Sequence, residues 1–240
     1  MTVILLILIV YFSAFIQAIS GFGLTLIAMP LITIVIGIKP AAPLVALIGL
    51  TVFTIILIRH RQHIRIKELI PLILSSIIGI PIGIWALDNL DEAIIKPLLG
   101  FILIVYAVYT FIRPKSFMHY SPWWVYPTGF LAGCLGSAYN TPGPPVIVYG
   151  SLRQWPKEEF RAVLQAFFFF NAVLVVLSHY LADHLTRGVL ISYLYTLPFI
   201  FAGIISGSLV DRKIDHDRFR FLVTAMIFIL GLVLALSVWM

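Results

Sequence analysis

Charge is what this sequence has least of. Only 11% of its 240 residues are Asp, Glu, Lys or Arg, while 61% are hydrophobic and the mean hydropathy is +1.08. A soluble domain carries about a quarter charged residues. The balance excludes a disordered chain, a nucleic-acid-binding module and an ordinary water-soluble enzyme. A net charge of +6 and a pI near 9.5 would suit a phosphate-binding protein. The basic residues, however, sit in short breaks between long uncharged runs. The single cysteine, Cys134, excludes a disulfide framework and a Cys-cluster metal site. The sequence has no GxxxxGK[ST], no HExxH, no GxSxG and no histidine pair at metal-ligand spacing on one helix, so it reads as neither an ATPase nor a metalloenzyme. No cofactor is expected, and no enzyme activity. No Asp or Glu lies deep in an apolar run, so the carboxylate relay common in membrane pumps is not visible.

What remains is a polytopic membrane protein. Eight charge-free stretches cover 1–38, 40–58, 69–87, 97–112, 116–152, 162–182, 188–210 and 221–240. A helix needs about 20 apolar residues to cross ~30 Å of hydrocarbon. Six stretches are therefore one span each, 97–112 being a little short. The first and fifth are about twice that length, and both are interrupted by residues that helices avoid. Ser20-Gly21-Phe22-Gly23 breaks 1–38, and Asn140-Thr141-Pro142-Gly143-Pro144-Pro145 breaks 116–152. Each reads as two helical legs of about 15–18 residues, ~23–27 Å long, joined at a non-helical apex. Met1-Thr2 offers no basic n-region, so the first run is expected to be a retained span rather than a cleaved signal.

The order long, short, short, short occurs twice, which predicts an internal repeat. A shift of 120 aligns Gly23 with Gly143, Ile27 with Ile147 and Ala46 with Ala166. A shift of 124 aligns Gly79-Ile80 with Gly203-Ile204 and Gly83 with Gly207. Positive charge favours the cytoplasmic side of short loops. With Arg59, Arg61, Arg65 and Lys67 inside, and each long stretch leaving and returning on one face, Arg113, Lys115, Arg153, Lys157, Arg161, Arg212, Lys213, Arg218 and Arg220 also fall inside. Of 16 basic residues only Lys39, Lys96 and Arg187 are then outside. Equivalent loops lie on opposite sides, so the repeat is inverted and both termini are expected outside. A parallel repeat would put 211–220, with its four basic residues, outside. The expected fold is therefore all-α and polytopic. Residues 1–115 form a first inverted repeat and 116–240 a second, each a broken or V-shaped segment followed by three transmembrane helices.

Inverted repeats with broken helices are a transporter design, with substrate bound near the midplane at unwound backbone. Non-helical backbone at that depth must be buried in protein or line a wet cavity. Two facing helix N-termini would present free N–H groups and positive dipole ends, an anion site without a buried lysine. The candidate substrate-binding residues are Ser20, Gly21 and Gly23 at the first break and Asn140, Thr141 and Gly143 at the second. Gln17 and Ser137 align just before the breaks; Gln165 and Asn171 sit on the following helix. Each has a plainer reading: glycine and proline permit close packing or a kink, and buried amides and hydroxyls bond neighbouring helices. Two breaks at equivalent positions favour a site. His179 reads as an interfacial residue near a helix end, Arg153 as a cytoplasmic anchor, and Tyr139 and Tyr149 as packing residues.

At these breaks the sequence resembles a known family. Ser20-Gly21-Phe22-Gly23-Leu24-Thr25-Leu26-Ile27-Ala28-Met29-Pro30 is similar to the signature of the TauE/SafE sulfite exporters, in which a Gly-Phe-Gly-Gly-Gly-like segment leads into an apolar stretch ending in Pro. Gly129-Phe130-Leu131-Ala132-Gly133 through Pro145 resembles the repeated half. Gly79–Gly83 and Gly203–Gly207, each followed by an Asp-containing turn, also fit. Leu24-Thr25 replaces the extra glycines of the first motif, and Pro142 and Pro144-Pro145 crowd the second. The resemblance implies a bacterial inner-membrane exporter of a small sulfur-containing anion such as sulfite, thiosulfate or an organosulfonate. Its partners would be that anion and the bilayer, with no nucleic acid; a homodimer is compatible with the long apolar faces. The readings from other classes are an anion channel and a non-transporting membrane subunit or enzyme.

Overall fold

The structure, a computed structural model, describes residues 2–60, 66–112, 121–210 and 216–236. The basic residues of 61–65, 113–120 and 211–215 lie outside the described residues, as do the side chains of Arg59, Lys157, Arg161, Arg218 and Arg220. The described residues form ten α-helices and no strand: α1 (Thr2–Ser20), α2 (Leu24–Ile36), α3 (Ile38–His60), α4 (Ile66–Asn89), α5 (Glu92–Ile112), α6 (Val125–Tyr139), α7 (Gly143–Leu152), α8 (Lys157–Leu181), α9 (Arg187–Val210) and α10 (His216–Leu236). A short 3₁₀ turn, Pro122–Trp124, precedes α6. Among the described residues, six helices are long and apolar enough to cross a membrane: α1, α4, α5, α9 and the apolar parts of α3 and α8.

Both long stretches are broken where the sequence predicts, but the legs are unequal. α1 has 19 residues and α6 has 15, ~28 and ~22 Å at 1.5 Å per residue. α2 has 13 and α7 has 10, ~20 and ~15 Å, shorter than the ~30 Å hydrocarbon thickness. Their stops are local. Gly37, at φ +83, ends α2 by donating its N–H to Thr33 O at 2.9 Å. Gln154, at φ +52, turns the chain after α7 so that Trp155 N–H reaches Gly150 O at 3.1 Å.

α4 is apolar on its outer face and carries small residues on its inner one. α4 exposes Ile70, Leu74, Ile77, Ile78, Ile82 and Trp85, and buries Ser75, Ser76, Gly79 and Gly83. This suits a lipid-facing surface, where helices associate through close backbone approach rather than through hydrophobic burial.

The helices group into two compact units, each drawn from both halves of the chain. Unit 1 holds α1, α2, α5, α9, α10 and α3 up to Ile48; unit 2 holds α4, α6, α7, α8 and α3 from Gly49.

In unit 1, α9 lies on α1 with no room for side chains at two points. A Cβ on Gly203 would sit 2.5 Å from Tyr11 O, and one on Gly207 would sit 2.5 Å from Phe15 O. Tyr11 Oη and Ser206 Oγ add a hydrogen bond of 3.1 Å across the pair. α5 and α10 meet through Gly100 and Gly231 in the same way.

In unit 2, α4 lies on α6. A Cβ on Gly79 would meet Phe130 O at 2.1 Å, and one on Gly83 would meet Cys134 O at 2.3 Å. Ser137 Oγ donates to Ile80 O at 2.9 Å across this contact. The two glycine pairs that align in sequence thus dock on the first leg of a broken segment, on backbone carbonyls that correspond at a shift of 119 residues.

Candidate functional site: two helix breaks

Break 1 is built by glycine and one glutamine. Gly21 (φ +75) and Gly23 (φ +112) adopt left-handed backbone, which side chains resist. Gly21 N–H closes α1 by donating to Gln17 O at 2.9 Å. Gly23, at the N-cap of α2, has no side chain to offer. Gln17 supplies the cap from seven residues back: its Oε1 accepts from Leu24 N–H at 3.0 Å, while its Nε2 donates to Gly21 O at 3.1 Å. Ser20 Oγ donates to Ile16 O at 2.8 Å. Both Gln17 and Ser20 therefore hold the break in shape.

A helix start leaves about four N–H groups without intrahelical partners. At α2 only Leu24 is capped. The amides of Gly23, Thr25 and Leu26 find no acceptor among the described residues, although Gly23, Thr25 and Leu26 are buried. They point a triplet of donors, backed by the helix dipole, into the break.

Break 2 has the same outline and a different chemistry. Asn140, at φ +53, takes the place of Gly21, and its N–H donates to Gly136 O at 2.9 Å; Thr141 N–H reaches Leu135 O at 3.1 Å. Asparagine tolerates this left-handed conformation better than most side chains. The two cap bonds lie 119 residues apart, with Gly136 O in the role that Gln17 O has at break 1. The two breaks do not offer the same amides. α7 begins Pro142-Gly143-Pro144-Pro145, and proline has no N–H. Of the four positions that leave orphan donors at a helix start, three lack the donor, and Gly143 alone keeps it. The prolines reduce the orphan amides of this buried apex to one.

Side chains supply donors here instead. Thr141 is fully buried and its Oγ1 has no partner among the described residues. Asn171, on α8 and also buried, sets its Oδ1 against Gly136, where a Cβ would lie 2.4 Å from it, and its Nδ2 has no partner. Amide orientation is assigned from such contacts. Phe168, one turn earlier, covers Gly143 with its ring 3.2 Å from where a Cβ would be.

Of the sequence candidates, Gln17, Ser20, Gly21 and Gly23 gather at break 1 in unit 1. Asn140, Thr141 and Gly143 gather at break 2 in unit 2, with Asn171 beside Gly136. Ser137 is turned to α4 by its bonds to Ile80 O and to its own helix. Gln165 is buried two turns before Asn171.

Sequence reading missed Ser13, fully buried one turn before Gln17 with an unpartnered Oγ; the i, i+4 spacing was the available signal. At the start of α2 it named Gly23 but not the next free amides, Thr25 and Leu26. Two further residues are seen with their surroundings. Arg153 pairs with Glu68 at 3.3 Å, and Glu68 also accepts from Tyr149 Oη at 3.2 Å. His179 is not interfacial but fully buried.

The chain matches the family model described as sulfite exporter TauE/SafE over residues 6–234. No curated protein and no solved structure gives a significant match. That match spans every described helix, both breaks included, and the family is one of membrane transporters. The chain belongs to the TauE/SafE sulfite exporter family.

Proposed function

We propose that this protein is a secondary carrier exporting a small sulfur-containing anion, sulfite or an organosulfonate, by alternating access, with the anion held at the helix breaks. At break 1 the holding groups are the amides of Gly23, Thr25 and Leu26. At break 2 they are Gly143 N–H, the Thr141 hydroxyl and the Asn171 amide, with Asn140 beside them. Gln17, Ser20, Gly21 and Ser137 set the shape of the breaks, and Gln165 lines the approach on α8. Residues 1–115 and 116–240 are read as the inverted repeats. The matching left-handed caps and glycine docking support that reading. The basic loops face the cytoplasm of a bacterial inner membrane and the termini face outward. A negative-inside potential then favours export by about 2.3 kcal/mol per charge per 100 mV.

The observation that carries this reading is the set of buried donors without acceptors. A buried polar group left unpaired costs about 1–3 kcal/mol, and native structures keep few of them. All of these groups are donors or can act as donors, as an oxyanion requires, and none brings a fixed charge. Desolvation of the anion is then offset only by hydrogen bonds, so affinity is modest and chloride competes.

Thr141→Val tests this with opposite signs. Removing an unpartnered buried hydroxyl while keeping the shape is expected to raise the melting temperature of the ligand-free protein. The same change is expected to abolish the stabilisation that sulfite, thiosulfate or isethionate confers on wild type, which follows RT ln(1 + [L]/Kd). A variant that still responds to the anions as wild type does removes Thr141 from the site. Asn140 is better probed by Asn140→Gly than by Asn140→Ala, because glycine keeps the φ of +53 without strain. Weakened anion binding with unchanged folding is the expected outcome.

A further inference from the structure

At the far end of α4 and α8, unit 2 contains a hydrogen-bonded line of ionisable groups that anion holding does not use. His184 Nε2 lies 2.8 Å from Asp88 Oδ1, and His184 Nδ1 lies 2.9 Å from His179 Nδ1. Asp88 and His184 are partly exposed, at 40% and 21% of their side chains; His179 is fully buried, and its Nε2 has no partner among the described residues. The turn is built for this meeting. Asp183 adopts φ +57, which brings His184 N–H back to His179 O at 2.9 Å and lets the rings approach to 5.2 Å between centroids.

With both rings neutral and Asp88 ionised, one arrangement of protons satisfies both contacts. Asp88 as a carboxylate accepts from His184 Nε2–H, so neutral His184 has a bare Nδ1. That nitrogen accepts from His179 Nδ1–H, and the lone pair of His179 Nε2 is left pointing into the protein. The other ionisable groups at this end of unit 2 are Tyr180, exposed on α8, and Asp183, which forms no ion pair among the described residues. The helices packed on α8 bring Tyr126, Cys134 and Tyr139 on α6 and Tyr149 on α7; none is a partner of either ring among the described residues.

We propose that Asp88, His184 and His179 form a proton wire, with His179 Nε2 the buried proton-binding site that couples anion movement to the proton gradient. This rests on the transport reading above and adds its coupling ion. A proton taken up at His179 Nε2 passes the Nδ1 proton to His184 Nδ1, and His184 releases its Nε2 proton to Asp88 or to water. One proton enters, one leaves, and both rings end neutral in the opposite tautomer. His179 lies eight residues beyond Asn171 on the same helix, ~12 Å along its axis, so the proton site is near break 2 without sharing its groups.

The test uses purified protein in liposomes and two readouts with labelled sulfite. Exchange at equal sulfite and equal pH on both sides reports transport alone. Accumulation driven by an imposed pH gradient reports coupling, and comparison of variants at one pH cancels the titration of sulfite itself. His179→Gln is expected to keep exchange within about twofold and to lose accumulation roughly tenfold, 1.4 kcal/mol of coupling. Asp88→Asn, at the partly exposed end, is expected to reduce accumulation in the same direction. Wild-type accumulation in both variants overturns the wire and leaves the proton to the substrate. Absence of exchange in wild type overturns sulfite transport instead. The wire is then judged by histidine NMR of the detergent-solubilised protein, where His184 must titrate differently in His179→Gln; an unchanged His184 overturns it.

Discussion

Gly79→Ala is expected to yield no stable folded protein, and Gly203→Ala a folded but clearly destabilised one. At Gly79 the new Cβ would lie 2.1 Å from Phe130 O and 2.9 Å from Cys134 N. Both are backbone atoms of α6 and cannot rotate away, so α4 and α6 must separate. Separation also stretches the Ser137–Ile80 hydrogen bond. Overpacking typically costs about 1–3 kcal/mol, and here it is added to lost contact along a helix pair that holds together by close approach. At Gly203 the nearest atom is Tyr11 O at 2.5 Å, a milder clash in the corresponding place. Gly188 is the control: a Cβ there meets only Thr186 Oγ1 at 3.9 Å, so Gly188→Ala is expected to be neutral or slightly stabilising. Detergent size-exclusion profiles and melting curves of the three variants check the order. A Gly79→Ala protein melting like wild type contradicts the α4–α6 packing described above.

Gln17 separates shape from charge at break 1. Gln17→Leu removes the acceptor of Leu24 N–H and the donor to Gly21 O together. The buried Leu24 N–H loses its acceptor, at about 1–3 kcal/mol, Gly21 O loses one donor, and transport is expected to fall roughly tenfold or more. Gln17→Glu keeps an oxygen for Leu24 N–H, in a place where the α2 dipole favours negative charge. That variant is expected to fold better than Gln17→Leu and yet to transport no anion, because the carboxylate occupies the donors meant for substrate. Flux together with melting temperature gives the result: equal loss of both in the two variants reduces Gln17 to a structural cap.

The positions of the breaks were legible because Gly-x-Gly and a proline cluster are chemical facts about backbone, whatever surrounds them. Length against bilayer thickness likewise marked 40–58, 69–87, 97–112, 162–182 and 188–210, each of which falls in a long apolar helix, whereas the described part of 221–240 is the shorter apolar helix Phe221–Leu236. Partner choice was not legible. Nothing in an apolar run says that α9 lies on α1 or α4 on α6; the glycine pairs mark a close approach but not its target. Donor content at α7 was legible and easily overlooked, since Pro142, Pro144 and Pro145 state in the sequence that three amides are missing. Gln17 was picked out for being polar, but its bonding to Leu24 and Gly21 depends on how Gly21 and Gly23 bend the chain. His179 was misread because its partner His184 comes within reach only through the left-handed turn at Asp183, and Asp88 comes from a distant helix. The cap bonds lie 119 residues apart, against the shift of 120 read from sequence identities.

The account stands or falls on labelled sulfite flux into liposomes holding the purified protein alone, measured for wild type, Thr141→Val and Gly143→Leu. Thr141→Val removes a donor, and Gly143→Leu fills the space now closed by Phe168 at break 2. The predicted result is saturable wild-type flux above empty liposomes, accelerated by sulfite on the opposite side and lost in both variants while Thr141→Val stays folded. Wild-type flux no greater than that of empty liposomes, or undiminished flux in both variants, contradicts a carrier that holds its anion at the helix breaks.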